Sequence, residues 1–205
     1  MLDTWRMLLE ESGALRHGHF LLSSGLHSPA YVQCALLLEQ PDRARRVGSA
    51  LAAKLGSLRP EAVVSPALGG LIVGFATAAS LGVPFRFTER SEGRMELRRG
   101  FTVQPGERIA VVEDVVTTGK STRETMAVLK TLGAEIVAVG AILDRTGSGS
   151  PDASDPLGPS DPFEVPFETL LSLDLPTYAA EACPKCAEGS RPEKPGSRTL
   201  PAPPG

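Results

Sequence analysis

Apolar residues are distributed along the chain in two alternating textures. Short aliphatic runs, Ala62-Val63-Val64-Ser65, Ile109-Ala110-Val111-Val112 and residues 135–143, read as strands buried on both faces. Longer stretches between them carry apolar residues at helical spacing. Trp5, Leu8 and Leu9 mark a first helix that ends at Gly13. Residues 42–56 predict a second, with Asp42 as its cap, Leu51 and Leu55 inward, and Arg43, Arg45, Arg46 and Lys54 outward. Residues 71–81 form an apolar helix closed by Gly82. Ser121 and Glu124 form a capping box for a further helix whose inner face is Met126, Leu129 and Leu132 and whose stop is Gly133. Strands that alternate with helices in this way predict an α/β domain with an open, mostly parallel central sheet flanked by helices.

Three stretches break the alternation. His19 begins a strand, a Ser-Gly turn and a second strand that ends at Val32, an N-terminal hairpin. Residues 84–88 read as a strand that runs into a polar excursion at 89–99, the tip of a mobile hairpin, and Phe101-Thr102-Val103 returns as a strand. Residues 146–162, rich in Gly, Ser, Asp and Pro, read as a loop. Residues 163–173 supply the last element, and the Pro- and Gly-rich stretch from 187 to 205 reads as a disordered tail.

At 205 residues the chain suits one domain, assigned to residues 1–186, with a core over about 40–175. Its 41% hydrophobic and 22% charged residues are those of a soluble protein. No apolar run has membrane-spanning length and residues 1–15 lack a signal-peptide core, so no membrane partner is expected. Three cysteines argue against a disulfide framework and fit a reducing cytoplasm. The net charge of −3 gives no reason to expect a nucleic-acid partner. It conceals a local excess, however: Arg86, Arg90, Arg94, Arg98 and Arg99 form a cationic run suited to an anion.

The chemistry concentrates after the run at 109–112. Glu113-Asp114-Val115-Val116-Thr117-Thr118-Gly119-Lys120-Ser121 places two carboxylates and a hydroxyl-rich turn at a helix N-terminus. Backbone N–H groups and the helix dipole there attract phosphate, and carboxylates can accept hydrogen bonds from sugar hydroxyls. Gly119-Lys120-Ser121 mimics the end of a P-loop, but that motif needs a glycine where this chain has Asp114. Pro66-Ala67-Leu68-Gly69-Gly70 is a second turn between strand and helix, either presenting N–H groups to pyrophosphate or allowing close helix packing.

The stretch from Ala110 to Thr122 resembles the signature of the type I phosphoribosyltransferases, which use 5-phosphoribosyl-1-pyrophosphate (PRPP). The segment His19-Phe20-Leu21-Leu22-Ser23-Ser24-Gly25-Leu26-His27-Ser28-Pro29-Ala30-Tyr31 and the strand end Leu143-Asp144-Arg145 resemble the orotate phosphoribosyltransferases among them. The resemblance, over residues 19–145, implies the type I fold, with a small hood made from about residues 1–35 and the C-terminal segment. It implies transfer from PRPP to orotate, giving orotidine monophosphate and pyrophosphate, with Mg²⁺. Glu113 and Asp114 would be catalytic, holding the ribose hydroxyls and steadying the developing positive charge, with Asp114 also a candidate metal contact. Thr117, Thr118, Gly119, Lys120 and Ser121 would cradle the 5′-phosphate, with Val115 and Val116 also contacting PRPP. Ala67, Leu68, Gly69, Gly70, Arg90 and Arg94 would bind pyrophosphate, with Arg90 assisting catalysis. Arg145, Thr117, Ser24, Gly25 and Tyr31 would contact orotate. A homodimer with loop exchange across its interface is implied as well.

The chain departs from the family in two places. The loop at 89–99 is short and carries arginines where better-known members have lysines and a histidine, and Ser23 stands where a lysine is common. The alternatives are therefore a phosphoribosyltransferase for xanthine, adenine or uracil, and a non-catalytic PRPP-sensing regulator. Cys183-Pro184-Lys185-Cys186 needs two further ligands to hold zinc, and the other Cys and His residues are Cys34, His17, His19 and His27. The pair is expected to be surface thiols at a domain end, against the other reading of a metal site shared with the hood or a second subunit.

Overall fold

The computed structural model describes residues 2–22, 24–145 and 163–195. The loop expected at 146–162, the substitution at Ser23 and the tail from 196 onward lie outside these residues. Six strands form one sheet: β3 (Ala62–Pro66), β4 (Phe85–Ser91), β5 (Arg94–Leu97), β6 (Arg108–Val116), β7 (Glu135–Asp144) and β8 (Phe167–Ser172). Their spatial order is β5-β4-β3-β6-β7-β8, parallel throughout except for the antiparallel edge strand β5. The expected mostly parallel sheet is therefore present, and β6, the strand that carries the two acids, lies inside it between β3 and β7.

Alternation along β6 explains why the sheet is apolar on both sides. Ala110 and Val112 join one core with α3 (Pro41–Leu55) and α4 (Gly70–Leu81), whereas Ile109 and Val111 join another with Met126 and Leu129 of α5 (Lys120–Thr131). The first core also takes in Leu8 and Leu9 of α1 (Leu2–Glu11) and Leu37 of α2 (Cys34–Leu38). Leu132, assigned to the inner face of its helix, is 44% exposed instead, because α5 ends at Thr131 and the chain leaves through Gly133 at φ 91°.

Three local expectations are corrected. Asp42 does not cap α3: Gln40 is the N-cap, Pro41 opens the first turn and Asp42 lies within it, where its charge suits the dipole. Ser121 and Glu124 form no capping box, because Gly119 occupies the N-cap at φ 70° and Glu124 pairs with Arg90. Residues 101–103 form no strand. The excursion at 89–99 is instead a tight hairpin, in which β4 and β5 turn at Glu92 and Gly93, both with positive φ.

The N-terminal hairpin, β1 (Leu15–Leu21) and β2 (His27–Val32), is a separate two-stranded sheet. The C-terminal segment is bonded to both of its strands. His27 and Tyr178 exchange backbone hydrogen bonds, the Leu21 amide donates to the Glu193 carbonyl, and the Glu193 amide donates to the His19 carbonyl. The stretch from residue 187, expected to be disordered, is thus tied to β1 as far as Glu193, because the edge of a two-stranded sheet leaves amides and carbonyls to satisfy. Among the described residues no helix is long and apolar enough to cross a membrane.

Candidate functional site

A cavity of about 730 Å³ opens where the carboxyl ends of β6 and β7 face the N-terminal hairpin. Leu21, Leu22, Ser24, Leu26 and Tyr31 line it from the hairpin, and Asp114, Val115, Thr117, Thr118, Lys120 and Arg145 from the strand ends. Ligands of open α/β sheets bind outside the carboxyl ends of the strands, and this cavity has that position.

The two adjacent acids part company. Glu113 is buried, and burial together with the Asp114 charge pushes its carboxyl up to about 9. Asp114 is only half-buried and is the acid that lines the cavity. Its position is fixed by the Val115 amide, which donates to Oδ1 at 2.8 Å. Glu113 and Asp114, expected to hold the ribose hydroxyls together, therefore differ: Asp114 faces the cavity, and Glu113 is buried outside its lining with its pKa raised.

The turn at 67–70 meets these acids from β3. A Cβ on Gly69 would lie 2.6 Å from Asp114 Oδ1, and one on Gly70 would lie 2.9 Å from both the Val112 carbonyl oxygen and Ser65 Cβ. Gly70 thus serves close helix packing, and Gly69 makes room for the carboxylate. Ala67, Leu68, Gly69 and Gly70 do not themselves line the cavity; they flank it beside Asp114, with Leu68 82% exposed.

The turn after β6 folds as a helix N-terminus should. Gly119 takes a left-handed conformation that a Cβ could not share with Phe163, 2.9 Å away, and Thr118 Oγ1 accepts from the Lys120 amide. Thr117, Thr118 and Lys120 face the cavity; Val116 is buried, and Gly119 and Ser121 lie outside the lining.

At the end of β7, Arg145 points into the cavity. Its Nη2 donates to the Leu175 carbonyl at 3.4 Å, burial lowers its pKa, and its Nε is buried without a hydrogen-bond partner among the described residues. A half-buried guanidinium whose Nε is a buried, unused donor demands an acceptor, and a planar carboxylate satisfies it best. Thr177 Oγ1 is a second buried, unpartnered polar atom on the same cavity. Sequence reasoning missed Thr177, a lone threonine in the segment after β8 with no motif around it. Gln33, which accepts a hydrogen bond from the Tyr31 hydroxyl, also lines the cavity and was missed.

Not every expected residue gathers here. Gly25 has φ 83° and serves the hairpin reversal rather than the lining. Arg90 donates to the Gly93 carbonyl and pairs with Glu124 on α5, and neither it nor the exposed Arg94 lines the cavity. The β4–β5 hairpin stands at the opposite side of the sheet from β7, which is why these two arginines and Arg145 do not converge within one chain. Cys183, expected at the surface, is 3% exposed.

Comparison with known proteins agrees with this geometry. A family profile described as the phosphoribosyl transferase domain matches residues 35–163. The orotate phosphoribosyltransferase of Thermotoga maritima is 52% identical over 193 residues, covering 94% of this chain and 97% of its own. Among solved structures, the orotate phosphoribosyltransferase of Aeropyrum pernix superposes with a TM-score of 0.62 at 26% identity, over 84% of this chain and 94% of that one. The UMP synthase of Leishmania donovani shares the fold at a TM-score of 0.66 and 23% identity; 83% of this chain is covered but only 36% of that longer one.

Proposed function

The chain belongs to the phosphoribosyltransferase family, among the orotate phosphoribosyltransferases, and from that premise we propose that it transfers the ribose 5-phosphate group of PRPP to orotate, yielding orotidine 5′-monophosphate and pyrophosphate. The observation that carries the choice of base is Arg145, whose half-buried guanidinium keeps a buried, unpartnered Nε beside the cavity that Arg145 and Asp114 line. Orotate brings the carboxylate that such a donor needs.

A ring nitrogen of orotate loses its proton and attacks the anomeric carbon while the bond to pyrophosphate breaks; the bonding electrons leave with pyrophosphate, whose oxygens can take up the proton. Positive charge develops on the ribose, so electrostatic placement matters more than a covalent nucleophile. Asp114 accepts hydrogen bonds from the ribose hydroxyls and lies next to the developing charge. Glu113, neutral near pH 7, supports the strand end from below instead of adding a second charge. The α5 N-terminus, with Thr117, Thr118 and Lys120, takes the 5′-phosphate. The turn at 67–70 takes the pyrophosphate.

Mg²⁺ fits this donor set. Among the described lining residues Asp114 is the one carboxylate, and burial pushes Glu113 up to about 9, so the ion would be held mainly by substrate oxygens with Asp114 in reach. It would supply charge neutralisation to the leaving pyrophosphate. Leu68 in the turn before α4, and Ile72 and Phe75 three residues apart on that helix, are 82%, 46% and 63% exposed and support a homodimer that buries them. In such a dimer the β4–β5 hairpin delivers Arg90 and Arg94 to the partner's site. The protein acts in the cytoplasm, as its reduced cysteines fit.

The test is to mix the protein with Mg²⁺, PRPP and a panel of bases and to follow the absorbance of each. Loss of orotate alone is expected. Turnover of another base would reassign the substrate, and no turnover of any base would make the protein a PRPP-binding regulator.

A further inference from the structure

Away from the catalytic cavity's floor, the hairpin and the C-terminal segment bring four metal-ligating side chains to one point. His19 of β1, His27 of β2, Cys183 at the N-cap of the short helix α6 (Pro184–Ala187) and Cys186 within it present ligand atoms that all lie within 4.8 Å of one another. We propose that they form a structural Cys₂His₂ zinc site that clamps the C-terminal segment onto the N-terminal hairpin.

The distances support a shared cation. Cys183 Sγ lies 3.4 Å from His19 Nε2, Cys186 Sγ 3.7 Å from the same atom, and Cys186 Sγ 3.2 Å from His27 Nδ1. Tetrahedral coordination with ordinary Zn–N and Zn–S bonds puts nitrogen and sulfur ~3.6 Å apart, and two nitrogens ~3.3 Å apart. The two imidazole nitrogens stand at 2.9 Å, so a spread of a few tenths of an ångström completes the tetrahedron. Hydrogen bonding alone cannot account for the cluster. His19 Nε2 has three neighbours, His27 Nδ1 and both sulfurs, yet a ring nitrogen offers one proton or one lone pair. A central cation satisfies all four groups at once.

The surroundings are built for it. His19, His27 and Cys183 are buried. The register of β1 against β2 shifts between His17 and Phe20, a bulge of the kind that re-aims a side chain, and it falls at His19. The far nitrogen of His19, Nδ1, lies 3.2 Å from Ser190 Oγ, the outer-shell contact that fixes a ligating histidine's tautomer. Both histidines also bond through their backbones to the segment that carries the cysteines, His27 with Tyr178 and His19 with Glu193. The third cysteine, Cys34, is buried in the main core and takes no part.

A closed four-ligand site of this kind is structural rather than catalytic, since no open position remains. What it holds in place follows from the hairpin. Leu21, Leu22, Ser24, Leu26 and Tyr31 line the cavity from that side, and Thr177 and Pro195 line it from the clamped segment. The ion would therefore preorganise the wall that closes over the base, an effect that rests on the function proposed above; the metal binding itself does not.

The full chain, purified without chelator under reducing conditions, should contain one zinc per chain by plasma mass spectrometry. Replacing zinc by Co²⁺ should give the thiolate charge-transfer and tetrahedral ligand-field bands. Cys183 and Cys186 should resist a thiol reagent until a strong chelator is added. Removing the metal should lower the Tm by ~10 °C and weaken orotate binding more than PRPP binding. Cys186→Ser and His19→Ala should each abolish the cobalt spectrum, and where either variant fails to fold the wild-type cobalt titration still decides. Metal-free protein that takes up neither Zn²⁺ nor Co²⁺ and whose two thiols react freely would overturn the proposal. Stoichiometric zinc in a protein that turns over no orotate would leave the clamp standing and remove only the assigned reaction.

Discussion

Gly69 and Asp114 are in mutual contact across two turns: a Cβ on the glycine would stand 2.6 Å from Asp114 Oδ1 and 2.8 Å from Oδ2. The turn after β3 and the acids of β6, more than forty residues apart in sequence, are thereby one surface. Gly69→Ala should push the Asp114 carboxylate aside. We expect PRPP affinity, by calorimetry, to fall about tenfold, with a Tm loss of a few degrees, since the site is at the surface of the fold. Gly74→Ala is the contrasting control, because its Cβ would meet Ser65 Oγ at 2.0 Å in the interior and should destabilise the whole domain. Unchanged PRPP binding in a folded Gly69→Ala protein would break the link between this contact and the ligand.

Asp114→Asn keeps the side chain's shape and its acceptor for the Val115 amide while removing the charge. With developing positive charge next to it, kcat should fall on the order of 100-fold while the melting temperature holds. Near-normal kcat in the folded variant would remove Asp114 from the proposed role.

Much of this was legible in the residues. The buried strand at 109–112 and the helix after it follow from hydrophobic period and from the stop at Gly133, so the place of the cradle between them is legible in the sequence, whereas Gly119 as the helix N-cap is not. The split between Glu113 and Asp114 had a signal that went unread: alternation along a strand lets only one of two neighbours face the cavity. The capping box failed for a tertiary reason, because Arg90 on β4 claims Glu124 and no local pattern announces that pairing. Thr177 was invisible for a similar reason, and His19 and His27 could be named as candidate partners of Cys183 and Cys186 but not singled out. Each is a single residue brought in by long-range backbone pairing between residues 19–27 and 178–193. Only the Cys-x-x-C half of the cluster has a spacing that can be read.

Arg145 offers a test of the base. Arg145→Ala should weaken orotate binding by roughly 10- to 100-fold, the value of a buried charge-assisted pair, and change PRPP binding little. Its backbone amide would still donate to the Val116 carbonyl, which keeps the strand end in place. Equal losses for both ligands by calorimetry would show that the arginine supports the site as a whole. Thr177→Val should produce a smaller orotate-selective loss of the same kind, since it removes the second unpartnered polar atom from the same wall.

Glu113 makes stability depend on pH in a direction opposite to that of an ordinary surface carboxylate. Its native pKa is raised from 4.5 to about 9, so between these values the folded state binds a proton that the unfolded state has released. Linkage then requires stability to be complete below about pH 4.5 and to decline as pH rises towards 9, with a slope of at most ~1.4 kcal/mol per pH unit. Glu113→Gln, which stays neutral, should flatten this part of the profile and be relatively more stable than wild type at pH 8–9. Thermal melts of both proteins from pH 5 to 9 measure the difference directly. Parallel curves for the two proteins would mean that Glu113 is ionised in the native state and that two charges, not one, stand at the end of β6.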